Sequence, residues 1–482
     1  MVLERGVRVL FLDMEDVQAR HNVVHSVCEA EKHPLNPVLH LGDMHEWDSV
    51  QARPWESRTV IYDEEDRLFK CWYAGTDLST ERWWATGYAE SDDGVRWEKP
   101  RVGLFEYNGN KENNIVLMGW GPAIKDEGES DPERRYKMLV KGPGKMPGLR
   151  AAYSGDGIHW EETAPVEITG WDGNITDMVA LLRDDQDPDP ERRYKLVWQT
   201  RMPSNKPDPP EEGRVKCLAC GPDVEHFRGV GDNPILHPND GLEQENHFVM
   251  LSPWRGQYVL LYEYGWYMPN DRGVFGSYCA DIRLASSRGG EHYQRIRPDQ
   301  KVIPRGARGQ WDDGMLVISD KPAVKDNTIY LYYGGNGEDL SSWPRDNLDP
   351  AYPYRSAGCM RLSRMGLATL PIDRFTCLET GDRETPGWVT TAPVEVASGD
   401  GHLVLNASDL AQRRSWVDVE IQDATGKPIP GFGFEECAGV DRDGLDQPVS
   451  WKGRSLGDLT GKHIRLRFRL CGRARLHAFG LE

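Results

Sequence analysis

The chain contains no apolar run approaching the roughly 18 residues that a membrane-spanning helix needs. Clustered positive charge is scarce too: 58 Lys and Arg stand against 77 Asp and Glu, for a net charge of −19. A surface that neutralises phosphates gathers Lys and Arg on one face, so nucleic acid is excluded as a partner. Cysteine is sparse, nine in 482 residues, odd in number and scattered, which excludes a disulfide framework. Cys217-Leu218-Ala219-Cys220 is a lone C-x-x-C pair. Positions i and i+3 of a strand face opposite ways, so it reads as structural, and no metal ligand set is expected. The start, Met1 to Leu10, has neither the apolar segment nor the cleavage site of a secretory signal. The expectation is a cytoplasmic protein without membrane contact. No stretch keeps a capped helical period, so helices are not expected either.

What is present is a repeat. Asp-Pro-Glu-Arg-Arg-Tyr-Lys occurs at 131–137 and again at 189–195, an offset of 58 residues. Each copy runs into an apolar stretch, Met138-Leu139-Val140 and Leu196-Val197-Trp198. A looser echo follows. Ser91-Asp92-Asp93-Gly94-Val95-Arg96-Trp97 returns as Ser154-Gly155-Asp156-Gly157-Ile158-His159-Trp160, and in degraded form at 221–227 and 287–293, with a last trace at Asp373-Arg374-Phe375. Asp-Gly between strand-like runs supplies the positive backbone dihedrals of a tight turn, and the trailing aromatic is expected to pack between adjacent sheets. Five aromatic, β-branched runs precede these turns: 68–73, 136–140, 194–198, 258–262 and 329–333. A copied unit of this length, present five times, predicts an all-β, five-bladed β-propeller over residues 1–384. After that the runs 402–406, 415–421 and 463–470 alternate polar and apolar, which predicts a β-sandwich over 385–482, docked on the propeller.

In a propeller the innermost strands line a central funnel, and residues at their starts converge on one ligand. The inner strands are expected at 57–62, 113–117, 175–181, 245–251 and from 311 to 316. Carboxylates gathered in a partly desolvated funnel raise one another's pKa and so separate an acid from a base. Glycoside cleavage needs that separation. Asp177, beside Met178 and Val179, and Glu245, at the head of Asn246-His247, are the most specific candidates. Asp48 and Glu56 stand before the first inner strand, and the choice between them is open. Trp55, Arg58, His247, Glu263, Trp311 and Asp312 are candidate substrate contacts. Seventeen Trp and eighteen Tyr also suit walls that stack on sugar rings. The pairs Arg134-Arg135 and Arg192-Arg193 belong to solvated outer turns.

Asn36-Pro37-Val38-Leu39, Phe69-Lys70-Cys71-Trp72-Tyr73-Ala74-Gly75 and the Ser-x-Asp-Gly-x-x-Trp turns resemble the five-bladed glycosidases of families 32, 43, 62 and 68, nearest to family 32-like bacterial proteins. The resemblance covers about residues 30–380, and it implies two carboxylates and an acid on separate blades. The blade-one Asn-Asp-Pro-Asn-Gly motif of family 32 is absent here, so the carry-over is positional. It places Asp48 or Glu56 first, Asp177 second and Glu245 as the acid.

The expected function is hydrolysis of a small oligosaccharide or glycoside, a furanoside among the candidates. A phosphorylase is the alternative, with Arg58, His247 and Lys141 as phosphate ligands. A non-catalytic carbohydrate-binding propeller is the other. No cofactor is required, and a structural ion in the channel is compatible with the architecture. The partner is a small carbohydrate, and a sandwich edge could mediate a homo-oligomer.

Overall fold

The computed structural model describes residues 2–53, 59–77, 85–142, 148–171, 173–204, 212–238, 241–269, 275–337, 363–397 and 401–482. Among them the regular structure is strand, with short 3-10 turns and no α-helix. No helix is long and apolar enough to cross a membrane. The chain divides into two compact units, Ala30–Leu370 and a second made of Met1–Glu29 with Pro371–Glu482. The expected boundary at 384/385 is therefore corrected at both ends of the chain. Residues Val23–Val27 pair with Thr376–Thr380, Val17–His21 with Gly387–Thr391, and Arg8–Leu10 with Arg475–Leu481. These early strands complete sheets formed with strands from Thr376–Thr380 onward. The trace at Asp373-Arg374-Phe375, just after the strand Ser363–Pro371, also falls in this unit.

The unit Ala30–Leu370 holds a ten-stranded, a five-stranded and two four-stranded sheets. The ten-stranded sheet joins the first strand group of the unit to its last. Gln51–Arg53 lies between Leu68–Thr76 and Ser363–Pro371, and Glu31–Lys32 adds to the outer side of the latter. One inner strand is corrected. Ile115–Met118, overlapping the run 113–117, pairs with Ala85–Ser91 as an outer strand, and the first strand of the next sheet is Ala123–Lys125. Short apolar runs look alike in sequence whether they start or finish a sheet.

The heptad repeat is explained by its last two residues. Asp131 and Asp189 each cap a turn, accepting the backbone N–H two residues on. Lys137 then turns to Asp126 of its own sheet, whereas Tyr136 donates to Asp63 of the preceding sheet. In the second copy Lys195 pairs with Asp184 at 2.6 Å, and Tyr194 donates back to Asp126. Tyr258 closes the series on Asp184 at 2.6 Å. Each aspartate uses its other oxygen for the same turn: Asp63, Asp126 and Asp184 accept from Glu65, Gly128 and Gln186 N–H, all at 3.1 Å. A buried carboxylate thus fastens each sheet to the next.

The Ser-x-Asp-Gly turns add a second fastening. Ser91, Ser154 and Ser287 accept from the N–H of Gly94, Gly157 and Gly290, each at 2.9 Å, and all three glycines have positive φ. Trp72 donates to Gly157 O of the following sheet, and Tyr332 to Gly94 O, both at 2.8 Å. The trailing Trp97 and Trp160 meet Tyr332 and Trp72 edge-on, as expected.

The sheets' first strands meet at Asp320 and Lys321. Leu251 N–H donates to Asp320 O at 3.0 Å, and Lys321 Nζ donates to Ala123 O at 2.6 Å and pairs with the Asp320 carboxylate at 2.5 Å. Thr59 and the Leu181 N–H also bond the Asp320 side chain.

The other unit has one six-stranded and one seven-stranded sheet. Their apolar faces share one cluster, with Val417, Val419, Ile464, Leu466 and Phe468 from one sheet and Leu403, Leu405, Leu476 and Phe479 from the other. His463–Cys471 alternates in burial along its length, as its sequence alternates.

The fastenings are testable. Asp126→Ala strands Lys137 and Arg183 around a buried gap, and removing one partner of a buried pair costs about 3–5 kcal/mol. Asp131→Ala removes only a turn cap, worth about 1 kcal/mol. Equal losses in urea unfolding would contradict this ranking. The Asp126 carboxyl is lowered from 3.8 to about 2, burial being outweighed by Lys137, Tyr194 and Arg183. Its contribution is therefore present above about pH 4 and lost as pH falls towards 2.

Candidate functional site

Asp177, Gln199 and Lys216 are cross-strand neighbours on Asp177–Arg183, Tyr194–Pro203 and Glu212–Gly221. Side chains opposite one another on adjacent strands share a face, so the three form a row. Gln199 Nε2 donates to Asp177 Oδ2 at 3.1 Å, and Lys216 Nζ donates to Gln199 Oε1 at 3.2 Å. Lys216 Nζ continues to Asn246 O and Oδ1, both at 2.7 Å. Asn246 stands between Glu245 and His247, so the row reaches the next sheet. Arg214, two residues before Lys216 on the same face, contacts Glu245, and Tyr267 donates to the other oxygen of Glu245 at 2.5 Å. His247 N–H donates to Glu263 Oε2 at 3.2 Å, and its ring Nδ1 lies 3.2 Å from that oxygen and 3.0 Å from Tyr278 OH. Asp177, Glu245, His247 and Glu263, chosen from sequence, belong to one connected network.

Burial divides the network into a front and a back. Glu245, Glu263 and Lys216 are wholly buried. The Asp177 side chain is 28% exposed, and Lys141, Arg214 and His247 are partly exposed with it. Sequence suggested no basic partner for Asp177. In the structure Lys141 Nζ, from the neighbouring sheet, lies 3.6 Å from Asp177 Oδ1, held by the carbonyl of Thr176. Burial nevertheless dominates and raises the Asp177 carboxyl, against the opposing pull of Lys141, Arg214 and Lys216. Burial pushes Glu263 up to about 8, although Lys216 and the His247 N–H pull it down. Burial likewise brings Lys216 down to about 7, with Glu263 opposing. Near neutrality the back of the site holds exchangeable protons on Glu263 and Lys216, and the front presents a carboxyl raised above its ordinary value by burial.

Asp48 and Asp312 are engaged differently, in two copies of one arrangement. Trp47 stacks on Tyr73 and Trp311 on Tyr333, at 5.5 and 5.8 Å between ring centres. Asp48 accepts from Tyr73 OH at 2.7 Å and pairs with Lys99 at 2.5 Å. Asp312 accepts from Tyr333 OH at 3.0 Å and pairs with Lys32 at 2.6 Å. Both carboxylates are buried, and Gly42 and Gly306 pass so close that a Cβ there would sit 2.2 Å from them. These are loop staples. Trp55, Glu56 and Arg58 lie outside the described residues. Gln199, Arg214 and Lys216 were missed from sequence. Their signal was polar residues set into apolar stretches of two strands, Gln199 after Val197-Trp198 and Arg214 and Lys216 on either side of Val215.

No family model matches the chain, and no curated protein matches it. Among solved structures it resembles propeller-type glycoside hydrolases. One, from the GH130 family of mannoside phosphorylases, a family that contains glycoside hydrolases targeting β-1,2 mannosidic linkages in Candida mannan, is 15% identical over 72% of this chain and 94% of its own, with a TM-score of 0.46. A glycosyl hydrolase from Bacteroides ovatus is 16% identical over the same shares, with a TM-score of 0.45. A family 43 arabinoxylan arabinofuranohydrolase from Bacillus subtilis covers 94% of this chain and 99% of its own at 12% identity, with a TM-score of 0.38. Identities this low say nothing of substrate, and the chemistry has to be read from the residues themselves.

Glu263 gives the site a measurable signature. Its folded pKa lies above the ordinary 4.5, so its contribution is complete below about pH 4.5 and is lost as pH rises through about 8. Glu263→Gln, which cannot ionise, should gain stability relative to the parent across that window and hold the gain above it. A difference in urea unfolding that does not change between pH 5 and 9 would refute the assignment.

Proposed function

We propose that Ala30–Leu370 is a five-bladed β-propeller, that the other unit is a β-sandwich, and that the propeller cleaves a glycosidic bond with Asp177 as proton donor. Five first strands gathered around Asp320 and Lys321, and first and last strand groups joined in one sheet, support the propeller count. Lys321 would then hold the place on the axis that a structural ion could take.

The observation that carries the chemistry is a part-exposed carboxyl with a raised pKa, at the front of a buried acid–base network. A leaving glycosidic oxygen needs a proton as its bond to C1 breaks, and a carboxyl poised upward delivers it. Glu245 is wholly buried behind Arg214 and Tyr267, which suits a positioning role better than that of the acid. Hydrolysis then needs a water beside C1. Phosphorolysis is a second reading, favoured by one observation: Lys141, Arg214 and His247 stand partly exposed around Asp177, three cationic or proton-donating groups suited to an attacking phosphate. Phosphate also attacks without a general base. The buried pair Glu263 and Lys216, both shifted towards neutrality, supports a catalytic reading over a purely binding propeller.

Asp177→Asn should lower kcat on glycosides with poor leaving groups by about 10²–10⁴-fold, and much less on activated aryl glycosides, with Tm nearly unchanged. Lys141→Ala removes a charge that holds the Asp177 carboxyl down, so the alkaline limb of kcat/KM should move to higher pH. Wild-type rates for Asp177→Asn on both substrate classes would refute the proton-donor role. Running the panel with and without inorganic phosphate, and assaying for sugar 1-phosphate, separates the two reactions.

A further inference from the structure

Outside this site, the unit formed by Met1–Glu29 and Pro371–Glu482 brings together two thiols and an imidazole. Cys28 Sγ lies 3.7 Å from His477 Nδ1, and with Cys377 Sγ these ligand atoms all fall within 4.8 Å of one another. It is the one such group of metal-ligating side chains among the described residues. We propose that Cys28, Cys377 and His477 form a site for one thiophilic divalent cation, with Zn²⁺ as the fitting ion.

The separations suit an ion between the ligands. With Zn–S near 2.3 Å and Zn–N near 2.0–2.1 Å, a tetrahedral centre sets S and N about 3.6 Å apart. A disulfide suits them less. Ser26 faces Cys377 and Val27 faces Thr376, while Cys28 N–H donates to Phe375 O at 2.9 Å. Cys28 and Cys377 are therefore diagonal neighbours on one face, where Cβ atoms stand about 7 Å apart. A disulfide needs about 3.8 Å.

Charge also fits. Two thiolates neutralise a divalent ion, so the filled site carries no net charge into buried surroundings, and two protons are released on binding. His477 Nδ1 lies 3.0 Å from Thr376 O and Nε2 lies 2.8 Å from Ser408 Oγ. To ligate through Nδ1, the ring moves its proton to Nε2, and Ser408 Oγ accepts it there. Metal-bound histidines are held in that way by their outer nitrogen. Cys28 is half-buried while Cys377 and His477 are buried, so the ion enters past Cys28 and keeps a solvent molecule in the fourth position.

The test is titration of the full, reduced chain with Co²⁺ under anaerobic conditions. One equivalent should produce a thiolate-to-cobalt charge-transfer band with the visible bands of tetrahedral cobalt, and Zn²⁺ should bleach both. Cys28→Ser and Cys377→Ser should abolish the band, and Ser408→Ala should weaken binding about 10–100-fold. Cys437→Ser, a cysteine elsewhere in the unit, should leave it intact. Circular dichroism checks that each variant is folded. A wild-type chain that gives no thiolate band, or a folded Cys28→Ser variant that keeps it at full strength, overturns the site.

Discussion

The placement of one sheet against the next depends on a buried carboxylate shared across the seam. Asp63 takes Lys70 from its own sheet and Tyr136 from the following one, and Asp126 takes Lys137 and Tyr194 in the same way. A single buried ion pair gives uncertain stability, because desolvation offsets its attraction. A carboxylate that also accepts a tyrosine hydroxyl and a backbone N–H has its lone pairs filled, and the desolvation is answered by several bonds. The geometry is directional. A tyrosine that must reach back to the preceding aspartate sets the stagger between sheets, which apolar packing alone would leave free to slide.

That stagger positions the site at the other end of the same strands. Asp184 closes the strand Asp177–Arg183 at its far end, where Lys195 and Tyr258 fasten it. Asp177 begins that strand, and Gln199 and Lys216 line up with it by register alone. Glu245 and Glu263 come from the sheet whose Tyr258 grips Asp184. The Asp184 fastening therefore holds the two halves of the network in reach of each other, and Lys216 to Asn246 at 2.7 Å and Arg214 to Glu245 join them.

Much of this was legible in the chain. The copied heptad and the Ser-x-Asp-Gly turns named the unit, because turns carry local, residue-specific demands. The partners of the heptad were not legible: Tyr136 and Asp63 are 73 positions apart, and nothing local to either names the other. The run 113–117 was placed on the wrong sheet for the same reason, since an apolar strand does not record which neighbour it pairs with. Asp177 stood out because a carboxylate at the head of a buried strand is locally anomalous. Asp48 and Asp312 stood out too, yet their staples use Tyr73, Tyr333, Lys99 and Lys32, residues visible in the sequence only as strand and linker. The 29 leading residues belong to the far end of the chain, and no local pattern could have said so.

What separates a staple from a proton-holding group is the number of cationic and hydroxyl donors that reach it. Lys70, Lys125 and Tyr136 surround Asp63, and Lys137, Arg183 and Tyr194 surround Asp126. Both carboxyls are lowered despite burial. Asp320 has one ammonium at the meeting point of the strands, and burial carries it up to about 6. Asp177 has Lys141 at 3.6 Å and rises, and Glu263, bonded by the neutral N–H of His247, reaches about 8. Asp63 and Asp126 are thus each bonded directly by several ammonium, guanidinium or hydroxyl donors, whereas Asp177 meets the Gln199 amide at 3.1 Å and Lys141 at 3.6 Å. One residue type is therefore lowered at the seams and raised at the front of the network, and the donors around it make the difference.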